Sequence, residues 1–199
     1  MAYTVRNTKP DISVSAILVG INVAVFVLQM LSGRLDVLLY EKGVLDTELV
    51  LQGGEYYRLV TSMFLHADIS HLASNMIILY FLGNMIERRF GSLSYLLMYL
   101  SSGVIGDLSS MMMQQRSGEL HRSLGASGAV FGIVGAYLAL AVLNRRYLSR
   151  GERNRILFGV FYSLFIGFQS SGIDNAAHVG GFAAGFVIAN LILLSGKRK

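Results

Sequence analysis

Four residues carry the chemistry this sequence can offer: Ser127, His178, His71 and Asn75. A serine hydroxyl is a weak nucleophile until a neighbouring base takes its proton, and a neutral imidazole has suitable basicity near pH 7. Ser127 and His178 supply that pair, as nucleophile and general base. Attack on a carbonyl builds negative charge on its oxygen, which needs positioned donors. His71 and Asn75 are four apart, so on a helix they share a face and can aim at one point. Backbone N–H groups at a helix start, including that of Ser127, would add to such an oxyanion hole.

Other chemistries fit less well. The absence of cysteine excludes thiolate catalysis and zinc–cysteine sites. There is no His-Glu-x-x-His, and His66 and His71 are five apart, off one helical face for a zinc pair, so neither metal nor other cofactor is expected. The soluble-hydrolase elbow Gly-x-Ser-x-Gly is not met, because Gly125-Ala126-Ser127-Gly128 is followed by Ala129. An aspartyl mechanism needs two facing carboxylates, whereas Asp107 and Glu87 lie at different levels of their apolar segments. Asp107 reads as a hydrogen-bonded structural group. Asp174, four residues before His178, is either a triad acid or the N-cap of the following helix, and the cap is the preferred reading.

The elements that must unite these distant residues are hydrophobic. Of 199 residues 53% are hydrophobic and 15% charged, more apolar surface than a soluble domain of this size hides. A helix crossing the ~30 Å hydrocarbon core needs ~20 mostly apolar residues. Six stretches qualify, at residues 14–31, 69–86, 93–113, 125–143, 156–173 and 176–194, the fifth being weakest because Gln169, Ser170 and Ser171 dilute its end. The expectation is an all-α membrane protein of six transmembrane helices, with residues 1–199 forming one domain and no cleavable signal peptide.

Alternate spans run in the same direction, so the second, fourth and sixth all run from outside to inside. His71, Asn75, Ser127 and His178 all lie near the starts of those spans and hence at one depth, just below the outer surface. Taken singly, each has a plain structural role, the serine as a small packing residue, the histidines and asparagine as caps or snorkelling groups. Their shared depth favours function, because polar groups inside spans are costly.

Lys and Arg mark the cytoplasmic side. Twelve of the 17 basic residues fall on one side (Arg6, Lys9, Arg88, Arg89, Arg145, Arg146, Arg150, Arg153, Arg155, Lys197, Arg198, Lys199) and five on the other (Arg34, Lys42, Arg58, Arg116, Arg122). Both termini are therefore expected in the cytoplasm, and the net charge of +5 reads as anchoring against anionic lipid, with no nucleic-acid role. The long first loop, residues 32–68, mixes apolar residues with acids and glycines, which suits short amphipathic pieces at the outer interface, or an ordinary structured loop. Small residues four apart let membrane helices approach closely. Gly128, Gly132 and Ala136 make such a line on the fourth span and Gly181 and Gly185 on the sixth, so these two helices are expected to touch. Glu87, between Gly83 and Gly91 beside Arg88 and Arg89, reads as a structural group at the inner end of the second span.

Gly125-Ala126-Ser127-Gly128 with a glycine-rich continuation, and Ala177-His178-Val179-Gly180-Gly181 with Gly185, resemble the rhomboid family of intramembrane proteases. The resemblance extends through Glu55-Tyr56-Tyr57-Arg58, Thr61, Phe64-Leu65-His66, His71-x-x-x-Asn75 and Gly83-x-x-x-Glu87-x-x-x-Gly91, from about Gly54 to Gly185. It implies a rhomboid-like bundle with a Ser127–His178 dyad and no third acid. It further implies an oxyanion hole of His71, Asn75 and the Ser127 amide, a water-filled cavity open outward, and Phe131 packed against the histidine. Tyr57-Arg58 stands where many members carry Trp-Arg, a departure that bears on loop packing; the dyad positions show none. The partners then expected are transmembrane protein substrates within the lipid bilayer, and the location a plasma membrane of bacterial type. A non-catalytic rhomboid-like client-binding protein is the alternative, which intact Ser127 and His178 argue against; a transporter would show repeats and coupled charges, and neither appears.

Overall fold

A computed structural model describes residues 13–143, 149–169 and 174–195. The elements are helical: α1 Val14–Leu31, α2 Gly33–Gly43, α3 Thr47–Leu51, α4 Arg58–Thr61 with a 3-10 turn Ser62–Phe64, α5 Ile69–Phe90, α6 Ser92–Ser117, α7 Ser127–Leu143, α8 Arg150–Gln169 and α9 Asn175–Ser195. Among the described residues the one β contact is an isolated antiparallel bridge between Leu45 and Ser123.

Local signals explain the helix ends. The Ser13 hydroxyl accepts from Ala16 N–H to start α1, and the Asp68 carboxylate accepts from Ser70 and His71 N–H to start α5. Gly91 (φ 86°) divides α5 from α6 and Gly118 (φ 75°) ends α6, conformations that glycine adopts without Cβ strain. On α1 the buried residues Ser15, Leu18, Asn22, Phe26 and Gln29 recur at helical spacing, while Ile17, Ile21, Val27, Leu28 and Leu31 face outward. That apolar exterior suits lipid, not water.

Among the described residues four helices, α1, α5, α6 and α9, are long and apolar enough to cross a membrane. α7 is apolar but has 17 residues, about 26 Å of helix. It is also the core: Ala129, Val130, Ile133, Val134, Ala136 and Ala139 are buried, and α5, α6, α8 and α9 all pack on it. A helix sheathed in this way need not itself match the thickness of the hydrocarbon. α8 begins six residues before the expected 156 because the charged segment from Arg150 to Arg155 is helical and not loop. Arg and Glu are good helix formers, and Arg153 N–H closes the first turn on the Ser149 carbonyl. Residues 144–148 of the expected inner loop, 170–173 at the expected end of the fifth span, and the basic terminal residues lie outside the described residues.

The lines of small residues do meet. A Cβ on Gly181 would strike the Gly128 carbonyl, and one on Gly185 the Gly132 carbonyl, so α7 and α9 are in backbone contact. At the C-terminal end of α5, Glu87 accepts from Val14 N–H (2.9 Å), Ser15 N–H (3.0 Å), Ser15 Oγ (3.0 Å) and Ser92 Oγ (2.7 Å), tying the free N–H groups of α1 to the α5–α6 corner. The first loop is a run of short helices pinned by Arg58. Its guanidinium is buried and donates to the Val44 and Glu41 carbonyls (both 2.8 Å) and to Glu55 (2.7 Å).

Candidate active site

The starts of α5, α7 and α9 lie together at one end of the bundle. Capping by Asp68 leaves His71 in the first turn of α5 with Asn75 one turn further on the same face. The chain entering α7 crosses directly over His71. Gly125 has φ 128°, its N–H donates to the Ser62 carbonyl (2.9 Å), and a Cβ there would lie 2.8 Å from His71 Nε2. Only glycine fits, both for the backbone angle and for the space. Two residues later Ser127 opens α7.

His178 comes in from the other side. The Gly128 face of α7 is open enough for the Ala177 carbonyl of α9 and Gly106 of α6 to close on it. The imidazole of His178 stacks on the Phe131 ring, with centroids 4.1 Å apart and planes inclined by 12°. Phe131 is four residues beyond Ser127, so the imidazole lies along the face of α7 on which Ser127 stands. Among the described residues no hydrogen bond joins Ser127 Oγ to His178, and His178 Nδ1 has no partner. Catalytic hydrogen bonds are often made only when substrate is bound. Asp174 does not hold the imidazole: its Oδ1 accepts from Ala177 N–H (3.0 Å), as an N-cap. Asp107 accepts from Ser62 Oγ (2.7 Å), tying α6 to the 3-10 turn, a structural bond.

His66 belongs to this cluster, although its spacing from His71 rules out only a zinc pair and points to no other role. Its Nε2 is 3.3 Å from Asn75 Nδ2, and its ring meets that of His71 edge-on at 5.1 Å. Burial, reinforced by repulsion from His71, pushes the His66 pKa down to about 4, so it is neutral at pH 7 and its Nε2 can accept from the Asn75 amide. The Gln29 side chain fixes the His66 backbone, accepting from His66 N–H (3.2 Å) and donating to its carbonyl (3.3 Å). No metal-binding group of His, Asp or Glu occurs among the described residues.

Long apolar helices with an outward-facing hydrocarbon surface, packed on a central glycine-lined helix, define a multi-pass, all-α membrane protein. The chain belongs to the rhomboid family, its residues 53–195 matching the Rhomboid domain. It is 39% identical over 147 residues to rhomboid protease GluP of Bacillus subtilis (strain 168), an alignment covering 74% of this chain and 28% of that protein. It is 34% identical over 165 residues to RHOMBOID-like protein 4 of Arabidopsis thaliana, covering 82% of this chain and 41% of that one. The putative rhomboid protease YdcA of Bacillus subtilis (strain 168) is 28% identical over 164 residues, covering 82% and 81%. The chain thus spans less than half the length of the first two relatives.

Proposed function

We propose that this chain is an intramembrane serine endopeptidase that cuts transmembrane segments of other membrane proteins near the outer face of the bilayer. Ser127 is the nucleophile and His178 the general base. The observation that carries this reading is the Phe131–His178 stack, since an imidazole on that ring shares the α7 face of Ser127. The protease names of two relatives support the reaction class.

In the reaction, Ser127 Oγ attacks the scissile carbonyl carbon while its proton passes to the His178 imidazole. The carbonyl oxygen becomes an oxyanion, held by Asn75, His71 and the Ser127 N–H. Collapse breaks the C–N bond, and the imidazolium gives its proton to the departing amine. Water then adds to the acyl-enzyme with His178 again taking the proton, and Ser127 leaves with it. No carboxylate is needed on the imidazole. A bond inside a helix is screened and its carbonyl already engaged, so substrates with Gly or polar residues beside a small residue at the cut unwind most readily. The first loop lies at the outer interface and both termini face the cytoplasm, in a plasma membrane of bacterial type.

The test is covalent labelling of the purified protein by a fluorophosphonate, with cleavage of a single-span model substrate in liposomes. Ser127→Ala and His178→Ala are each expected to abolish labelling and to lower turnover by about 10³-fold or more, because members of a catalytic unit fail together. Labelling that persists in Ser127→Ala overturns the mechanism. A wild-type protein that binds the substrate without cutting it is a client-binding protein.

A further inference from the structure

We infer that Asp174 is a positioning residue that sets the spacing between Ser127 and His178. The inference rests on the proposed dyad. An N-cap needs one carboxylate oxygen, and Oδ1 meets that need by accepting from Ala177 N–H (3.0 Å), while the Asp174 carbonyl accepts from His178 N–H (3.1 Å). The second oxygen is turned to other elements. Oδ2 accepts from Ser123 Oγ at 2.8 Å and also from Ser110 Oγ on α6. Asp174 is four residues before His178 and Ser123 four before Ser127, so one carboxylate joins the approach to the nucleophile with the first turn of the helix bearing the base.

Both serines are themselves held. Ser123 exchanges backbone hydrogen bonds with Leu45 in the first loop (2.9 and 3.1 Å). Ser110 Oγ accepts from Gln114 Nε2 (3.0 Å), and Gln114 Oε1 accepts from Thr47 Oγ1 (3.0 Å) and His121 N–H (3.2 Å). The half-exposed His121 ring stands 3.8 Å from Oδ2 on the outer side. Asp174 is therefore where α9, α6, the 118–124 loop and the first loop are tied together. A dyad that lacks a third residue on its imidazole has its geometry set by the backbones that carry its two members, and small misplacements of reacting groups cost large factors in rate.

Two variants separate positioning from capping. Asp174→Ser retains an N-cap oxygen but cannot also reach Ser110 and Ser123; Ser123→Ala leaves the cap untouched. Each is expected to slow fluorophosphonate labelling of Ser127 about tenfold and to lower kcat on a model substrate with KM unchanged, the double variant no slower than either single one. Ser123→Thr, which restores a hydroxyl, is expected to recover the rate. Melting temperatures close to wild type would accompany these losses. Labelling within twofold of wild type in both single variants, or losses that multiply in the double variant, would overturn the inference while leaving the dyad standing. An unlabelled wild-type protein would overturn the dyad and this inference with it.

Discussion

His66 lies against Asn75 and His71, the two residues proposed as oxyanion donors. Its pKa of about 4 in the folded protein lies below the unfolded value of about 6.5, so the unfolded chain binds more protons between those limits. The stability that neutral His66 contributes is complete above about pH 6.5 and is lost as pH falls towards 4, with a slope of at most about 1.4 kcal/mol per pH unit. Thermal melts of the detergent-solubilised protein across that range should therefore fall more steeply for wild type than for His66→Gln. Identical acid limbs would exclude His66 as the source. The same substitution should slow both labelling of Ser127 and peptide turnover, since the phosphoryl oxygen of the probe and the scissile carbonyl oxygen gain charge at the donor position proposed for Asn75.

At the level of elements, the α7–α9 contact sets how the proposed dyad faces itself, because Ser127 and His178 lie in the first turns of the two helices packed there. Gly185→Ala puts a methyl group against the Gly132 backbone, which cannot yield as a flexible side chain would. Overpacking of this kind costs about 1–3 kcal/mol, and the expected result is a lower melting temperature with slower Ser127 labelling. Gly20→Ala on α1 is the matched control: nothing lies within 4 Å of its Cβ position, and Ala is the better helix former, so stability should be unchanged or higher by up to about 1 kcal/mol. A Gly185→Ala protein as stable as the Gly20→Ala protein would mean that the two helices separate without cost. The early start of α8 belongs to this scale too. A charged run reads as loop by hydropathy, yet its residues carry good helix propensity.

For the whole molecule, the distribution of basic residues predicts the orientation. A reporter fused after Lys199 should be cytoplasmic and one inserted near Gly118 external, since the 12 to 5 division of Lys and Arg opposes the reverse insertion. An external C-terminus would put Ser127 near the cytoplasmic face and remove the basis for cleavage near the outer one. At the end of the bundle that holds Ser127 the loops brace one another. Arg122 donates to Glu41 (2.8 Å) and Asp46 (3.1 Å), across the backbone bridge of Leu45 and Ser123. Exposed ion pairs of this sort contribute little stability singly, so their part is to hold the first loop against the approach to Ser127.

Much of this was legible in the sequence because its causes are local or periodic. Apolar runs of membrane-crossing length set the helices, their alternating direction put His71, Asn75, Ser127 and His178 at one depth, and glycines four apart marked the faces of α7 and α9 that touch. What no period encodes is the set of bonds made by loop residues to distant partners: His66 with Asn75, Asp174 with Ser110 and Ser123, Arg58 with the Val44 and Glu41 carbonyls. Whether Asp174 was a cap or a triad acid depended on which way one carboxylate turned, and the local sequence allowed both. Only the packed bundle decided it, because a buried polar group takes whichever partner the folded chain brings within about 3 Å, and that partner is chosen by backbone crossings tens of residues away in sequence.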